Sequence, residues 1–308
     1  MSLFGKHIVF GVHTGLQDTT VAELTSLWSD LDQAGYGWLS VWDHFYSAER
    51  STKSMCLESV AMHALLAATT RHARCGALVY NVGYRHPAVL ANAIATIDHI
   101  SGGRATLGLG CGWHELEHRA YGFGFDPPGR RLDRLAEAVV CIRSLLTRPS
   151  TDFAGEYYTL TDARCDPKPV QPRLPIIIGG AGPRRTLRLV AEHSDALNIG
   201  FVSPAEYRAK LAVLHEHCAA VGRAPESILA GVNLGLQLEG SSTSQASYAD
   251  MPFEVAHGIL RGKVHEVVDQ IAEYLEVGVR QVNFAVRAPF PRQSLLELAE
   301  ALELEPAC

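Results

Sequence analysis

The sequence predicts an α/β fold, a (β/α)8 TIM barrel with insertion loops, and three observations lead to it. Eight β-rich runs alternate with amphipathic runs along the chain, which predicts parallel strand pairing, and eight such units are the number that closes a barrel. The run Ile176-Ile-Ile178 is apolar throughout, as in strands that are covered on both faces. The length of 308 residues suits an α/β barrel, so we expect a single domain over residues 1–308.

The predicted elements follow one another in a regular order. Strands are expected at residues 8–13, 39–43, 75–80, 105–109, 175–178, 196–200, 229–236 and 281–286. Each is followed by a predicted helix, at residues 21–34, 55–70, 88–100, 132–146, 184–193, 204–221, 264–277 and 294–302. The first helix shows how these predictions are made, because its apolar residues recur at helical spacing. Thr19 or Thr20 together with Glu23 suggests a capping box at its start.

Two long connections interrupt the alternation of strands and helices. Residues 149–175 contain a proline-rich stretch and are expected to run over the barrel surface. Residues 239–262 are serine-rich and follow the seventh strand, at the end of a barrel where active sites lie. This second connection is interpreted either as a lid or as a flexible insertion, because loops of such length are usually functional or disordered.

Composition narrows the classes of partner. The net charge of −6 and the pI near 6.2 give no reason to expect nucleic acid or an anionic membrane as partner. No apolar run approaches the roughly 18 residues that a membrane-spanning helix needs, and the first residues do not resemble a signal peptide. The 7 cysteines include no C-x-x-C pair, so a disulfide framework or a cysteine zinc site is not expected. The chain is therefore expected to be cytoplasmic.

Polar residues follow the second and third strands, where barrel enzymes place catalytic groups. Asp43 and His44 end the second strand, and His44 is a candidate acid or base near neutral pH. The alternative is a histidine that makes a structural hydrogen bond. Tyr80 and Asn81 end the third strand, and Asn81 is a weaker candidate for hydrogen bonding to a polar heterocycle.

A glycine-rich turn follows the fifth strand. Gly179, Gly180, Ala181 and Gly182 precede a predicted helix that opens with two arginines, 184 and 185. Exposed backbone amides and the positive end of a helix favour a phosphate, and arginine matches phosphate geometry. The alternative is a simple tight turn.

The segment after the fourth strand has two incompatible interpretations. The string His114-Glu-Leu-Glu-His118 fits the H-E-x-x-H zinc pattern. The other interpretation is a glycine loop, formed by Gly108, Gly110 and Gly112, that a flat cofactor can approach closely. No downstream histidine supplies a third zinc ligand in the metzincin spacing, and 14 histidines make chance matches plausible. We therefore expect no metal site.

Taken in order, several motifs resemble the luciferase-like monooxygenase superfamily, and in particular its F420-dependent oxidoreductase branch. The motifs are Trp42-Asp-His-Phe45, Tyr84-Arg-His-Pro87, Ile97-Asp-His-Ile-Ser-Gly-Gly-Arg104, Gly108-Leu-Gly-Cys-Gly-Trp113, Glu115 and Glu117 before Tyr121-Gly122, Pro167-Lys-Pro-Val-Gln171 and Ile178-Gly-Gly180. Each motif is short, but together they extend over nearly the whole chain.

The resemblance implies a bacterial-luciferase-like barrel that binds F420, or alternatively FMN, at its mouth, usually as a homodimer. It implies that Asp43 contacts the cofactor ring, that His44 is the acid or base, and that Glu115 is a second acidic residue near the ring. The turn at Tyr80, Asn81 and Val82 is expected to bulge against the ring and to contain a cis peptide bond that does not precede proline.

The resemblance also implies that residues 179–182 bind the cofactor phosphate. The implied reaction is hydride transfer between the cofactor and a small organic substrate that the sequence does not identify. With FMN, the implied reaction is oxygenation, and a separate reductase is then a partner. A flavin-binding barrel without catalysis and a zinc hydrolase are the remaining alternatives.

Overall fold

A computed structural model describes residues 8–47, 54–239 and 256–307. Its strands are β1 Val9–Thr14, β2 Trp38–Val41, β3 Arg74–Ala77, β4 Tyr80–Asn81, β5 Ala105–Gly110, β6 Thr151–Ala154, β7 Thr159–Ala163, β8 Ile176–Gly179, β9 Ala196–Gly200, β10 Leu229–Leu238, β11 Ile259–Gly262 and β12 Gln281–Val286. Its α-helices are α1 Val21–Gln33, α2 Ser59–Thr69, α3 Pro87–Ser101, α4 Glu115–Ala120, α5 Pro128–Thr147, α6 Thr186–His193, α7 Pro204–Ala220, α8 Val264–Glu276 and α9 Arg292–Ala301. Short 3-10 turns lie at Pro225–Ser227 and Ala256–Gly258.

Eight parallel strands close into a barrel, which confirms the predicted fold class. Around the barrel the strand order is β1, β2, β3, β5, β8, β9, β10 and β12, and β12 pairs with β1 to close it. Helices lie between successive strands, as in the TIM fold. The first helix begins with the predicted capping box, in which the side chains of Thr20 and Glu23 each accept a hydrogen bond from the other residue's backbone amide.

The inside of the barrel is packed with side chains from several strands. Trp38, Leu78, Ile177 and Ala196 contact one another there, and residues of β1 and β10 pack against them. A Cβ atom added at Gly76 would lie 2.4 Å from the Trp38 ring, so the absence of a side chain at that strand position makes room for the indole.

The structure differs from the prediction for one of the two long connections and describes only part of the other. Residues 149–175 contain the antiparallel hairpin of β6 and β7, an element that was not predicted. Of the predicted lid at residues 239–262, residues 240–255 lie outside the described part of the chain. The end of that connection forms β11, which pairs parallel with the last residues of β10. None of the described helices is both long and apolar enough to cross a membrane.

Candidate active site

A cavity of about 130 Å³ lies at the carboxyl ends of the barrel strands. It is lined by His13, Gly15, Trp42, His44, Leu78, Trp113, Phe201, Asn233, Ala285, Val286 and Arg287. These residues come from β1, β10 and β12 and from the segments that follow β1, β2, β3, β5, β9 and β12. The cavity therefore occupies the position where barrel enzymes carry their active sites.

His44 lies on the wall of this cavity and is oriented by a carboxylate. Its Nδ1 is 2.9 Å from Oε2 of Glu117. Because a carboxylate accepts hydrogen bonds, Nδ1 carries the proton in this contact, and Nε2 is the nitrogen left for proton exchange with a ligand. The imidazole also packs against the rings of Trp42 and Trp113, with centroids 5.3 and 5.2 Å away.

Glu117 is fully buried and is held by four donors. Its Oε1 accepts the backbone amides of Phe45 at 2.6 Å and Tyr46 at 2.9 Å, and its Oε2 accepts the Tyr84 hydroxyl as well as His44. Burial favours the neutral acid, but the hydrogen bond and charge of His44, with the other donors, outweigh it and lower the pKa of Glu117 to about 2. The side chain is thus an ionised anchor for the turn after β2.

Glu115 is not brought to this site. It lies on the exposed face of α4, where its carboxylate forms an ion pair with Arg119 at 2.7 Å. The structure places Glu117, two residues later, against His44. The sequence motif contained both glutamates, but only the folded helix distinguishes the buried one from the exposed one.

Asp43 is buried behind the cavity and does not line it. Its Oδ2 accepts the backbone amide of Asn81 at 2.9 Å and the Arg85 guanidinium at 2.7 Å. Burial raises the pKa of Asp43, and the charge of Arg85 opposes that shift. Asp43 therefore ties the end of β2 to β4, and its predicted contact with a cofactor ring stays a prediction.

Tyr80, Asn81 and Val82 are all buried. The Tyr80 hydroxyl is 2.9 Å from Nδ1 of His63, and the Asn81 side-chain amide donates to Nε2 of His118 at 2.9 Å. The expected cis bond that does not precede proline is present between Leu78 and Val79, immediately before this turn. Leu78 lines the cavity, so the bond lies at its wall.

The glycines of β5 and β8 are explained by packing within the protein. A Cβ atom at Gly110 would lie 2.4 Å from the Val79 side chain, and one at Gly179 would lie 2.9 Å from it. A Cβ atom at Gly112 would lie 2.4 Å from the Asn81 amide. These glycines make room for residues of the β3–β4 segment, and the predicted cofactor contacts of Gly110 and Gly112 stay predictions.

The turn of residues 179–182 leads from β8 to the start of α6. Gly180 has a φ of +123°, which favours glycine, and its amide donates to Asn198 O at 3.0 Å. Leu187 N donates to Gly182 O at 3.1 Å. The backbone amides that precede Leu187 at the start of α6 therefore have no acceptor within the helix. Arg185 turns towards α5 and pairs with Asp133, whereas Arg184 is exposed.

The histidines of the H-E-x-x-H string contact different groups. His114 Nε2 is 3.2 Å from Ser47 O, and His118 lies between Asn81 and the Gly124 carbonyl. Within the described residues, no group of three or more His, Cys, Asp or Glu side chains is arranged to hold a metal ion.

Three polar residues of the cavity were not predicted. His13 is buried in β1, and its Nδ1 is 3.0 Å from Ser40 Oγ. Burial, with the nearby charges of Arg287 and His44, lowers the pKa of His13 to about 3, so its imidazole is neutral. Asn233 lies in β10, and Arg287 immediately follows β12. The sequence signal for Arg287 was its position directly after a barrel strand.

Comparisons with known proteins relate the chain to several oxidoreductases. Residues 4–252 match the family model described as luciferase-like monooxygenase. An uncharacterized protein of Mycobacterium tuberculosis is 38% identical over 109 residues, which are 35% of this chain and 38% of that protein. The 5,10-methylenetetrahydromethanopterin reductase of Archaeoglobus fulgidus is 33% identical over 176 residues, which are 57% of this chain and 48% of the reductase. The matches thus span less than half the length of these curated relatives.

A solved structure resembles nearly the whole length of the chain. An F420-dependent secondary alcohol dehydrogenase in complex with an F420-acetone adduct gives a TM-score of 0.84 at 16% identity, covering 96% of this chain and 99% of that chain. Likeness at this low identity establishes a shared fold alone.

Proposed function

The chain belongs to the luciferase-like monooxygenase family, whose model matches residues 4–252, and we propose that it is an oxidoreductase that transfers a hydride between F420 and a small organic substrate. One observation carries the proposal: a histidine on the wall of the mouth cavity is oriented by a buried, ionised glutamate. The reductase of Archaeoglobus fulgidus supports the oxidoreductase part of the proposal, and the F420-dependent dehydrogenase that shares the fold supports the choice of cofactor.

The residues at the barrel mouth offer the kinds of contact that a flat cofactor with a phosphate takes. Trp42, Leu78 and Trp113 offer apolar and aromatic surface on the cavity wall. Gly182, Arg184 and Arg185 offer backbone amides just before and at the start of α6, with the positive end of the helix behind them, whereas Pro183 has no amide hydrogen. When bound there, a deazaflavin supplies the hydride acceptor or donor of the reaction.

His44 performs the proton transfer that accompanies hydride transfer. Glu117 holds Nδ1 and fixes the ring orientation, so Nε2 accepts a proton from a substrate hydroxyl or returns one to a carbonyl oxygen. Leu78 and the two tryptophans exclude water from the same cavity. In this proposal the cofactor supplies the hydride chemistry, and the protein orients the substrate and transfers a proton.

Binding of the purified protein to oxidised F420 and, in parallel, to FMN tests the proposal. We expect F420 to quench the protein's fluorescence in a saturable way. We also expect F420 to bind at least about 10-fold tighter than FMN, a difference in binding free energy of about 1.4 kcal/mol. Equilibrium dialysis provides an independent measurement of both affinities. Preference for FMN would assign the chain to flavin-dependent oxygenation with a partner reductase, and binding of neither would contradict the cofactor assignment.

His44→Gln separates chemistry from binding. Once a substrate is found, we expect kcat to fall by about 100-fold to 10,000-fold, the usual contribution of a general acid or base, while F420 affinity stays within a few-fold of the wild type. His215→Gln, at an exposed position of α7, is the matched control and should leave both quantities unchanged. An unchanged kcat in His44→Gln would remove His44 from the proton transfer.

A further inference from the structure

Two side-chain donors share one oxygen of the buried Glu117 carboxylate. His44 Nδ1 lies 2.9 Å from Oε2 of Glu117, and the Tyr84 hydroxyl donates to the same oxygen. The other oxygen, Oε1, accepts the backbone amides of Phe45 and Tyr46. Oε2 is therefore the atom through which a change at Tyr84 reaches His44.

The surroundings of Tyr84 hold its hydroxyl in this contact. The residue is 9% exposed, and its ring packs against the rings of Phe45, His118 and Phe123, with centroids 4.9, 4.9 and 5.2 Å away. Burial and the hydrogen bond to Glu117 raise the pKa of Tyr84 above its ordinary value of 10. The hydroxyl therefore keeps its proton and acts as a neutral donor to Oε2.

The two donors compete for the negative charge of that oxygen. The bond from the Tyr84 hydroxyl takes up part of the charge of Oε2, and so weakens the bond that Oε2 accepts from His44 Nδ1. Without the hydroxyl, the carboxylate would draw the Nδ1 proton more strongly, which favours the imidazolium over the neutral imidazole. Tyr84 thus favours the neutral form of His44, the form that accepts a proton at Nε2.

We propose that Tyr84 is a positioning residue of the candidate active site, which limits, through the shared oxygen of Glu117, how strongly Nε2 of His44 binds a proton. Tyr84 is not among the described residues that line the mouth cavity, so it acts through Glu117. The statement that this effect serves a reaction rests on the proposed function. In that reaction His44 both accepts and returns a proton, and proton binding of intermediate strength suits both steps.

Other ionisable groups surround His44, and a substitution of Tyr84 leaves them in place. They are Asp43, His13 in β1, Cys56 before α2, His114 before α4 and Arg287 after β12. Because none of these groups is changed, a difference in the titration of His44 between wild type and variant reports the lost hydroxyl.

Titration of His44 by NMR tests the proposal without cofactor or substrate. In protein labelled with 15N-histidine, the signals that are missing from His44→Gln identify His44. We expect Tyr84→Phe to raise the pH at which His44 is half protonated by about 0.5–1. An unchanged or lower midpoint would overturn the proposal.

Tyr36→Phe is the matched control. The Tyr36 hydroxyl is also buried and donates to the backbone oxygen of Leu295 at 2.7 Å. It precedes β2, whereas His44 follows that strand. Both substitutions remove a buried hydrogen bond and should lower the melting temperature, but only Tyr84→Phe should move the titration of His44. An equal movement in Tyr36→Phe would assign the effect to general destabilisation and contradict the proposal.

Two further variants separate the effect of the hydroxyl from a structural one. 3-Fluorotyrosine at position 84 keeps the ring and has a more acidic hydroxyl, which is a stronger donor, so the midpoint of His44 should fall below that of the wild type. In Glu117→Gln the shared carboxylate is absent, so the addition of Tyr84→Phe should no longer raise the midpoint. A midpoint that does not fall with 3-fluorotyrosine, or that still rises in the double variant, would contradict action through Oε2.

The inference and the proposed function fail in different ways. If the wild type binds neither F420 nor FMN in dialysis, the proposed function is contradicted, while the titration of His44 still measures the effect of Tyr84. Once a substrate is found, the pH profile of kcat for oxidation in Tyr84→Phe should move to higher pH by the same amount as the NMR midpoint. A profile that stays in place while the midpoint moves would contradict the proposed role of His44 in proton transfer.

Discussion

At the scale of single residues, two glutamates of one short helix have opposite roles. Glu115 and Glu117 are two positions apart in α4, so they face different sides of the helix. The first pairs with Arg119 in solvent, where an ion pair contributes little to stability. The second is fully buried and gathers donors from the turn after β2 and from Tyr84. Orientation of His44 thus depends on Glu117.

Glu117→Gln is expected to destabilise the protein and to release His44. The amide nitrogen would face groups that are themselves donors, which leaves at least one buried donor unpaired at a cost of about 1–3 kcal/mol. Urea denaturation should show this loss, and 15N NMR of the imidazoles should show that His44 no longer has a fixed Nδ1–H tautomer.

Glu115→Gln is the matched control for this change. It removes an exposed carboxylate of the same helix, so the free energy of unfolding should change by less than about 0.5 kcal/mol. Equal destabilisation by the two substitutions would mean that the buried contacts of Glu117 contribute no more to the free energy of unfolding than the exposed ion pair of Glu115 does.

At the scale of elements, the third barrel strand is divided in two. β3 and β4 are separated by Leu78 and Val79, and the side chain of Val79 packs where Gly108, Gly110 and Gly179 have no side chains. β4 still pairs with β5, through Tyr80 and Leu109. The Val79 side chain that follows β3 thus packs against glycines of the two neighbouring strands, β5 and β8.

Gly110→Ala is expected to lower the free energy of unfolding by about 1–3 kcal/mol, because its Cβ atom would lie 2.4 Å from the Val79 side chain. Val79→Ala removes the methyl groups in conflict, so the double variant should be more stable than the sum of the single effects predicts. Gly124→Ala has no neighbour within 4 Å and is the control. Additive effects of the two substitutions would mean that they do not share this contact.

The eight barrel strands and their helices could be predicted because each carries an apolar run or a helical period. The helix α4 was missed since it has six residues and its buried members are Glu117 and His118, which no hydrophobic pattern reveals. The hairpin of β6 and β7 was missed because most of its residues are at least partly exposed. Short elements held by tertiary hydrogen bonds give little signal in a sequence.

Among the predicted site residues, the sequence pointed to a residue of the cavity where that residue directly follows a strand. His44 was found in this way, and the structure places it on the cavity wall. His13 and Asn233 were missed because they lie within strands, where the sequence does not show which side chains face the cavity. The motifs at residues 97–104 and 167–171 contributed to the resemblance, yet they contact each other away from the cavity lining: the Gln171 side chain donates to Asp98 at 2.6 Å.

At the scale of the whole molecule, burial of neutral imidazoles makes stability depend on pH. Burial lowers the pKa of His13 to about 3 and that of His63 to about 4, against an ordinary value of 6.5. In the unfolded chain both side chains take up a proton below about pH 6.5, whereas in the folded protein they stay neutral. The unfolded state therefore binds more protons, and stability falls as the pH decreases from 6.5 towards 4.

We expect His13 and His63 together to lower the free energy of unfolding by about 4 kcal/mol between pH 7.5 and pH 5, about 2 kcal/mol each. Urea denaturation at several pH values measures this slope. His13→Gln removes one of the two groups and should reduce the fall by about 2 kcal/mol, whereas His215→Gln, at an exposed position, should leave the slope unchanged. An unaltered slope in His13→Gln would mean that His13 takes up its proton in the folded protein too, so that its burial in β1 does not keep the imidazole neutral.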